Sequence, residues 1–372
     1  MRSVFSGFYG MDNSGDDSFV EVSAWGSKKY WGSDLQLFFS NKLPEIHTSS
    51  LYYQPTKGYL SFGKAILDLF KSDVFVSAGG STFHSALKKT DIRTYAKLKK
   101  SLRIPGKIGA IGISLGPYKN TIAEKSTIEY LKNLDFLALR DTRSYDMALS
   151  YNLPFKPVKA FDLAALLPEI YNFDNSIHHN SNIPIVGISV CNYETYINGD
   201  INNEKRRNDF IINIISELKT KSNVKFRFFI FNGHPLIGDE SLTYQIINKV
   251  NLDAKLNYEV VSYSPNVEYI YKKIAECNLV ISTRLHASIF ACYSNTPFCL
   301  LEYHQKCSDF LTDVGQQDKC IVYDGHKDIR TVLDNILKIL YDKDDALPLK
   351  KDITIQRAKL NFTETYNKTR NV

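Results

Sequence analysis

An arginine and a histidine two residues apart, where an apolar run gives way to a helical pattern, mark residues 281–306, ISTRLHASIFACYSNTPFCLLEYHQK, as a place for chemistry. Asn278 to Ile281 read as the end of a strand. Thr283 is placed to N-cap a helix whose apolar face is Leu285, Ile289, Phe290 and Tyr293. Arg284 and His286 then fall in its first turn. Unpaired backbone N–H groups and the positive end of the helix dipole favour a phosphate or carboxylate there, and a guanidinium adds paired hydrogen bonds. An imidazole titrates near neutrality and can hand on a proton. The competing reading is an ordinary strand-to-helix junction with a structural histidine, and this stretch alone leaves both open.

Other polar residues fall where strands end. Asp16 and Asp17 follow Gly15 in the loop GFYGMDNSGDD, where each is either a helix cap or a carboxylate that accepts a hydroxyl proton. Gly79 and Gly80, directly after the apolar run Val74 to Ser77 in VSAGGSTFHS, let a ligand approach the backbone closely, and His84 beyond them is structural or catalytic. Arg140 in ALRDTRS contacts a ligand or bridges to Asp141 or Asp162. His234 in FNGHPLIGDE is a ligand contact or a loop residue. His178 and His179 read as solvated loop residues.

Positioning these groups needs alternating strands and helices. Strands are expected at Ser3 to Phe8, Val74 to Ser77, Ile108 to Leu115 and Phe136 to Leu139, with helices at about Ser18 to Gly26, Leu60 to Lys71, Thr121 to Leu131 and Thr142 to Ser150. After the polar stretch NFDNSIHHNSNIP the alternation resumes. Strands are expected at Ile185 to Val190, Lys225 to Phe231 and Tyr258 to Val261, and helices near Asn203 to Lys221, Ser241 to Asn251 and Val267 to Cys277. Late helices follow at Asp328 to Tyr341 and Lys351 to Tyr366. Repeated β-then-α units imply an α/β protein whose sheets are mostly parallel. The division expected is an N-terminal Rossmann-like domain over 1–174, a linker over 175–184, a C-terminal Rossmann-like domain over 185–345 and a terminal helix over 346–372.

Composition narrows the function classes. The 372 residues are 44% hydrophobic and 23% charged, as in a soluble globular protein. No apolar run reaches the roughly 18 residues that span a bilayer, and MRSVFSGFYG lacks a signal-peptide cleavage region, so a cytoplasmic protein is expected. The six cysteines, Cys191, Cys277, Cys292, Cys299, Cys307 and Cys320, have no CxxC pairing and read as reduced core thiols rather than metal ligands. A net charge of +6 with scattered lysines argues against a nucleic-acid stripe and permits anionic small molecules or peripheral contact with a membrane surface.

The loop GFYGMDNSGDD, the turn VSAGGSTFHS, the segments ISLGPYKN and LALRDTRS, and STRLHASIFACYSNTPFCLLEYHQK, in this order and spacing, resemble the polysaccharide pyruvyltransferase family over nearly the full length. The glycine turn departs from the family's commoner three-glycine form at Ala78. The resemblance implies two Rossmann-like domains of glycosyltransferase-B type with an interdomain cleft. It further implies transfer of pyruvyl from phosphoenolpyruvate to two hydroxyls of a sugar, giving a cyclic ketal of a cell-surface polysaccharide. Arg284, Leu285 and His286 match the family's Arg-Leu-His element, Arg140 its N-domain arginine, and Asp16 or Asp17 its acidic loop. In the mechanism that follows, Arg140 and Arg284 hold the donor's phosphate and carboxylate, and His286 protonates C3. Asp16, or failing that Asp17, takes the acceptor's proton, with Gly79, Gly80, His84 and Lys306 around the donor. The chemistry needs no cofactor or metal, with phosphoenolpyruvate as donor substrate. The acceptor sugar is lipid-linked, nucleotide-linked or part of a glycan, placing the protein in the cytoplasm or at the membrane's inner face. A sugar-nucleotide-dependent glycosyltransferase of the same fold type is the alternative.

Overall fold

The alternation is realised as parallel sheets in a computed structural model that describes residues 1–47, 51–54, 59–171, 183–253, 257–342 and 346–367. Among these residues, β1 (Arg2–Ser6), β2 (Leu35–Phe39), β3 (Leu51–Gln54), β4 (Val74–Phe83), β5 (Lys107–Leu115), β6 (Phe136–Leu139) and β7 (Val158–Lys159) form one sheet, in the order β3-β2-β1-β4-β5-β6-β7. Every pairing in it is parallel. A second sheet contains β8 (Ile185–Ser189), β9 (Lys225–Phe229), β10 (Tyr258–Val261), β11 (Leu279–Ser282), β12 (Phe298–Glu302) and β13 (Ile321–Tyr323), in the order β10-β9-β8-β11-β12-β13, also parallel.

Parallel strands need helical crossovers, which cover both faces of a sheet, so its central strands must be apolar on both sides. Val4, Phe5, Phe75 and Val76 are accordingly buried in the first sheet, and Val186, Ile188, Val280 and Ile281 in the second. In each sheet the strand order reverses once, between β1 and β4 and between β8 and β11. Ligands of doubly wound sheets bind beyond the carboxyl ends of the strands at such a switch point.

The chain divides into two compact units. The first comprises Met1–Met11, Asp16–Ile170 and the chain from Asp352 onward; the second comprises Asp12–Gly15 and Tyr171–Lys351. The expected linker lies, through residue 182, outside the described residues, as do His178 and His179.

Several boundaries differ from expectation for local reasons. The first helix starts at Ser14, not Ser18, so Asp16 and Asp17 lie inside its first turn rather than in a loop before it. Strand β4 does not stop at Ser77 but runs through Gly79 and Gly80, whose φ values of +78° and +76° only glycine adopts easily. The helix Lys351–Thr363 packs on the first unit. There the Trp31 indole N–H donates to the Phe362 carbonyl at 2.9 Å, and buried Asn361 accepts from the Gly112 N–H at 2.7 Å while donating to the Phe161 carbonyl at 2.8 Å. Gly112, at φ +60°, sits where the β5–β6 register shifts, and Asn361 satisfies the N–H that this irregularity takes out of the ladder.

Candidate active site

At the switch point of the second sheet, β8 and β11 end side by side. The Thr283 N–H extends the ladder by donating to the Ser189 carbonyl at 2.8 Å, which turns the Thr283 hydroxyl toward the end of β8, where it accepts from the Cys191 N–H at 2.9 Å. Thr283 is therefore not the N-cap expected of it. The helix spans Leu285–Tyr293, and Arg284 is its cap residue without a capping side-chain bond. Ser282 shapes this turn, donating to the Arg284 carbonyl at 3.1 Å and pairing with the Ser288 hydroxyl at 2.8 Å. His286 is consequently in the first turn, and Leu285 is buried.

The Arg284 side chain reaches Asp239. Its Nε–H lies 3.0 Å from each carboxylate oxygen, and Nη2 adds a bond to Oδ1. Among the described residues Nη1 carries no hydrogen bond, and 22% of the side chain is exposed. Burial opposes the Arg284 charge, but the Asp239 carboxylate more than offsets it, so the guanidinium pKa is raised. Burial pushes the Asp239 carboxyl up, against the pull of Arg284 and of backbone N–H groups at Asn232 and Phe231. Burial likewise raises the Cys191 thiol, while Arg284 and, more weakly, Lys306 lower it. The Lys306 ammonium lies 5.2 Å and 5.8 Å from the ring centres of Tyr303 and Tyr193, which are 4.6 Å apart.

The loop after β9 organises both ends of this turn. On one side, the Asn232 N–H donates to Asp239 Oδ2 at 2.9 Å, and the Asp239 N–H to the Asn232 carbonyl at 2.9 Å. On the other, the Ser14 N–H donates to the Phe231 carbonyl at 3.0 Å, the Gly233 N–H donates to the Asp12 carbonyl at 2.8 Å, and Asn13 bridges Asn232 antiparallel. That docking lays Gly15 against the His286 ring. His234, in the same loop, points its Nδ1 at the Leu236 and Ile237 N–H groups at 3.2 Å and 3.4 Å, an internal staple.

In the first unit, Arg140 at the end of β6 is held on every nitrogen. Nε donates to Ser114 at 2.5 Å, Nη1 to Asp162 at 3.2 Å and Nη2 to Ser81 at 3.3 Å. The bridge to Asp162 weighed from sequence is present, and Asp141 instead caps the helix Thr142–Leu149. Ser81 also gathers in exposed His84, whose Nδ1 donates to its carbonyl at 3.0 Å. Gly79 offers no open approach, because a Cβ there would lie 2.3 Å from the Phe19 ring, whereas beside Gly80 the nearest atom is 3.6 Å away. Asp17 is 1% exposed and Asp16 is half-buried. Burial and, secondarily, the Asp16 charge raise the Tyr9 hydroxyl, which donates to the Ala78 carbonyl at 2.9 Å.

Thus Arg284, His286 and Lys306 share one end of the second sheet, and Arg140, His84, Asp16 and the glycines belong to the first unit. Sequence reasoning missed Asp239 and the close approach of Gly15 to His286. Asp239 stands in the quoted FNGHPLIGDE, but an acid just before a helix ordinarily reads as a cap, and here it forms no cap bond.

These features define an α/β protein of glycosyltransferase-B type, with the candidate site residues at the carboxyl ends of parallel strands. A family model for polysaccharide pyruvyl transferase matches residues 12–305, and the chain belongs to that family. No curated protein matches the chain by sequence. Among solved structures, the UDP-GlcNAc 2-epimerase of Methanocaldococcus jannaschii is similar with a TM-score of 0.61 at 14% identity, over 97% of this chain and 98% of that one. Anabaena HepE, solved with UDP and glucose, gives 0.61 at 10% identity over 100% of both chains. The UDP-GlcNAc 2-epimerase of Neisseria meningitidis gives 0.58 at 11% over 100% of both. At such identities the likeness is one of fold.

Proposed function

We propose that the protein transfers pyruvyl from phosphoenolpyruvate to two hydroxyls of a sugar, forming a cyclic ketal and releasing phosphate. One observation carries this reading. At the switch point of the second sheet, a charged arginine is anchored through Nε and Nη2 with Nη1 left for a ligand, and a histidine follows two residues later. Arg284 binds the donor's anionic groups, aided by Lys306. His286 gives a proton to C3 of the enol, making C3 a methyl group and C2 an oxocarbenium-like centre. A sugar hydroxyl adds to C2 and loses its proton, to Asp16 rather than to buried Asp17. Phosphate then leaves with the C2–O bond electrons, and the second hydroxyl closes the ring as its proton passes to phosphate. Arg140 joins the donor site by exchanging its long bond to Ser81 for a ligand oxygen. No cofactor or metal enters this sequence, so activity should survive chelation. On this reading the reaction takes place in the cytoplasm or at the inner face of the membrane.

Incubation with phosphoenolpyruvate and a panel of free, nucleotide-linked and lipid-linked sugars tests the reading. Phosphate release, with mass and NMR of a ketal product, is the expected result. Release of a nucleoside diphosphate from a sugar nucleotide would instead support a glycosyltransferase. That second reading is favoured by the Tyr193–Tyr303 pair beside Lys306, which also suits a base and diphosphate.

A further inference from the structure

The space that a side chain at Gly15 would need is taken by His286. A Cβ built on Gly15 would lie 2.3 Å from Nδ1, 2.4 Å from Cγ and 2.9 Å from Cβ of the histidine. Those separations are far inside van der Waals contact, so alanine fits only if the imidazole turns away or the backbone retreats. The backbone is not free to retreat. Residues on either side of Asn13 are bonded to the loop after β9, and the Gly15 N–H donates to Asn13 Oδ1 at 3.0 Å. Nor does conformation require glycine, because Gly15 lies in the helix Ser14–Gly26 and is not among the positive-φ residues. In a helix alanine is the better residue by about 1 kcal/mol. The packing of His286 is what opposes it.

The geometry points to Gly15 as a positioning residue for proton transfer at His286: its bare Cα forms one wall of the imidazole's slot, and docking of residues 12–15 on residues 231–233 sets the ring's orientation. The same loop holds Asp239, the anchor of Arg284, so one short segment aligns both the anion-binding and the proton-donating group. This inference rests on the assignment of His286 as the acid, and its test separates the two.

The test is a cycle of Gly15→Ala, His286→Ala and the double variant, read by steady-state kinetics with phosphoenolpyruvate and by thermal melting. Gly15→Ala should lower kcat by about 10²-fold, the scale of a misplacement of about 1 Å, with KM for phosphoenolpyruvate nearly unchanged. It should also lower Tm. In the His286→Ala background the slot is empty, so the same substitution should cost no further kcat and should leave Tm unchanged or raised. Wild-type kcat in Gly15→Ala beside a slow His286→Ala would overturn the positioning role alone. Wild-type turnover in His286→Ala would overturn the acid assignment, and the positioning role with it. If Gly15→Ala does not fold, the melting comparison of His286→Ala with the double variant still decides: a lower Tm in the double variant refutes the shared slot.

Discussion

Arg140 and Arg284 end parallel strands in different units, and each is paired with a buried aspartate. They differ in what is left over. Every nitrogen of Arg140 donates to protein and only 7% of its side chain is exposed, whereas Arg284 holds Asp239 through Nε and Nη2, leaves Nη1 without a hydrogen bond among the described residues and exposes 22%. A pairing that uses the whole guanidinium fork spends the charge on the fold. One that uses part of the fork fixes the group and keeps a donor for a ligand. By this criterion the β11 turn is the better candidate for holding an anion, and the β6 arginine is the one more fully committed to the fold.

The largest expected effect lies next to Arg284. His286→Ala should reduce turnover by roughly 10²- to 10⁴-fold while phosphoenolpyruvate still binds in calorimetry. An unaltered rate would strip the β11 turn of its chemical role. The arginines themselves should then separate. Arg140→Ala strands Asp162 in the interior and should lower unfolding free energy in urea by about 3–5 kcal/mol. Arg284→Ala strands Asp239 in the same way and should lose comparable stability, but it should in addition weaken donor binding by roughly 10- to 100-fold, the worth of a hydrogen bond to a charged group. The reverse pattern would invert the comparison.

Lys99 sharpens it from another direction, as a buried cation bonded to the Leu69 and Ser72 carbonyls and the Ser72 hydroxyl. Burial lowers its pKa from 10.5 to about 8, with Asp73 pulling weakly the other way. Between those values the unfolded chain binds the extra proton, so this group's contribution to stability is present at high pH and is lost as pH falls from 10.5 through about 8. The swing should be about 3 kcal/mol and should vanish from the stability-versus-pH curve of Lys99→Met. The smallest effect is a control for Gly15. Gly63, mid-helix with nothing within 4 Å of a built Cβ, should gain about 0.5–1 kcal/mol on change to alanine, measured by Tm.

Much of the architecture was legible because helices and buried strands differ in period and length. The helix Thr121–Leu131 and the strands Phe136–Leu139 and Tyr258–Val261 fall where sequence puts them. Strands β2, β3, β7, β12 and β13 are not legible in the sequence, since short runs carry no period that separates strand from helix. The helix Ile92–Ser101 also escaped: its mean polarity is high, and it is set by an Asp91 cap that accepts from Arg93. Glycines misled at β4, where they permit the strand to continue at positive φ instead of ending it. In the candidate site, Arg284 and His286 stand out in the sequence as candidates by residue type and spacing. Asp239 and Gly15 do not. Their roles depend on a fold that brings residues 12–15 and 239 to opposite sides of one loop, a proximity that no local pattern encodes.

The helix Lys351–Thr363 has a consequence for the order of events during synthesis. Gly112 and Trp31 emerge from the ribosome early, yet their hydrogen-bond partners, Asn361 and Phe362, follow all of the second unit's residues. Until they arrive, the first sheet carries a bare N–H at its irregular strand and an indole without its acceptor, so the second unit can complete its core while the first is still open. The unit begun first is finished last.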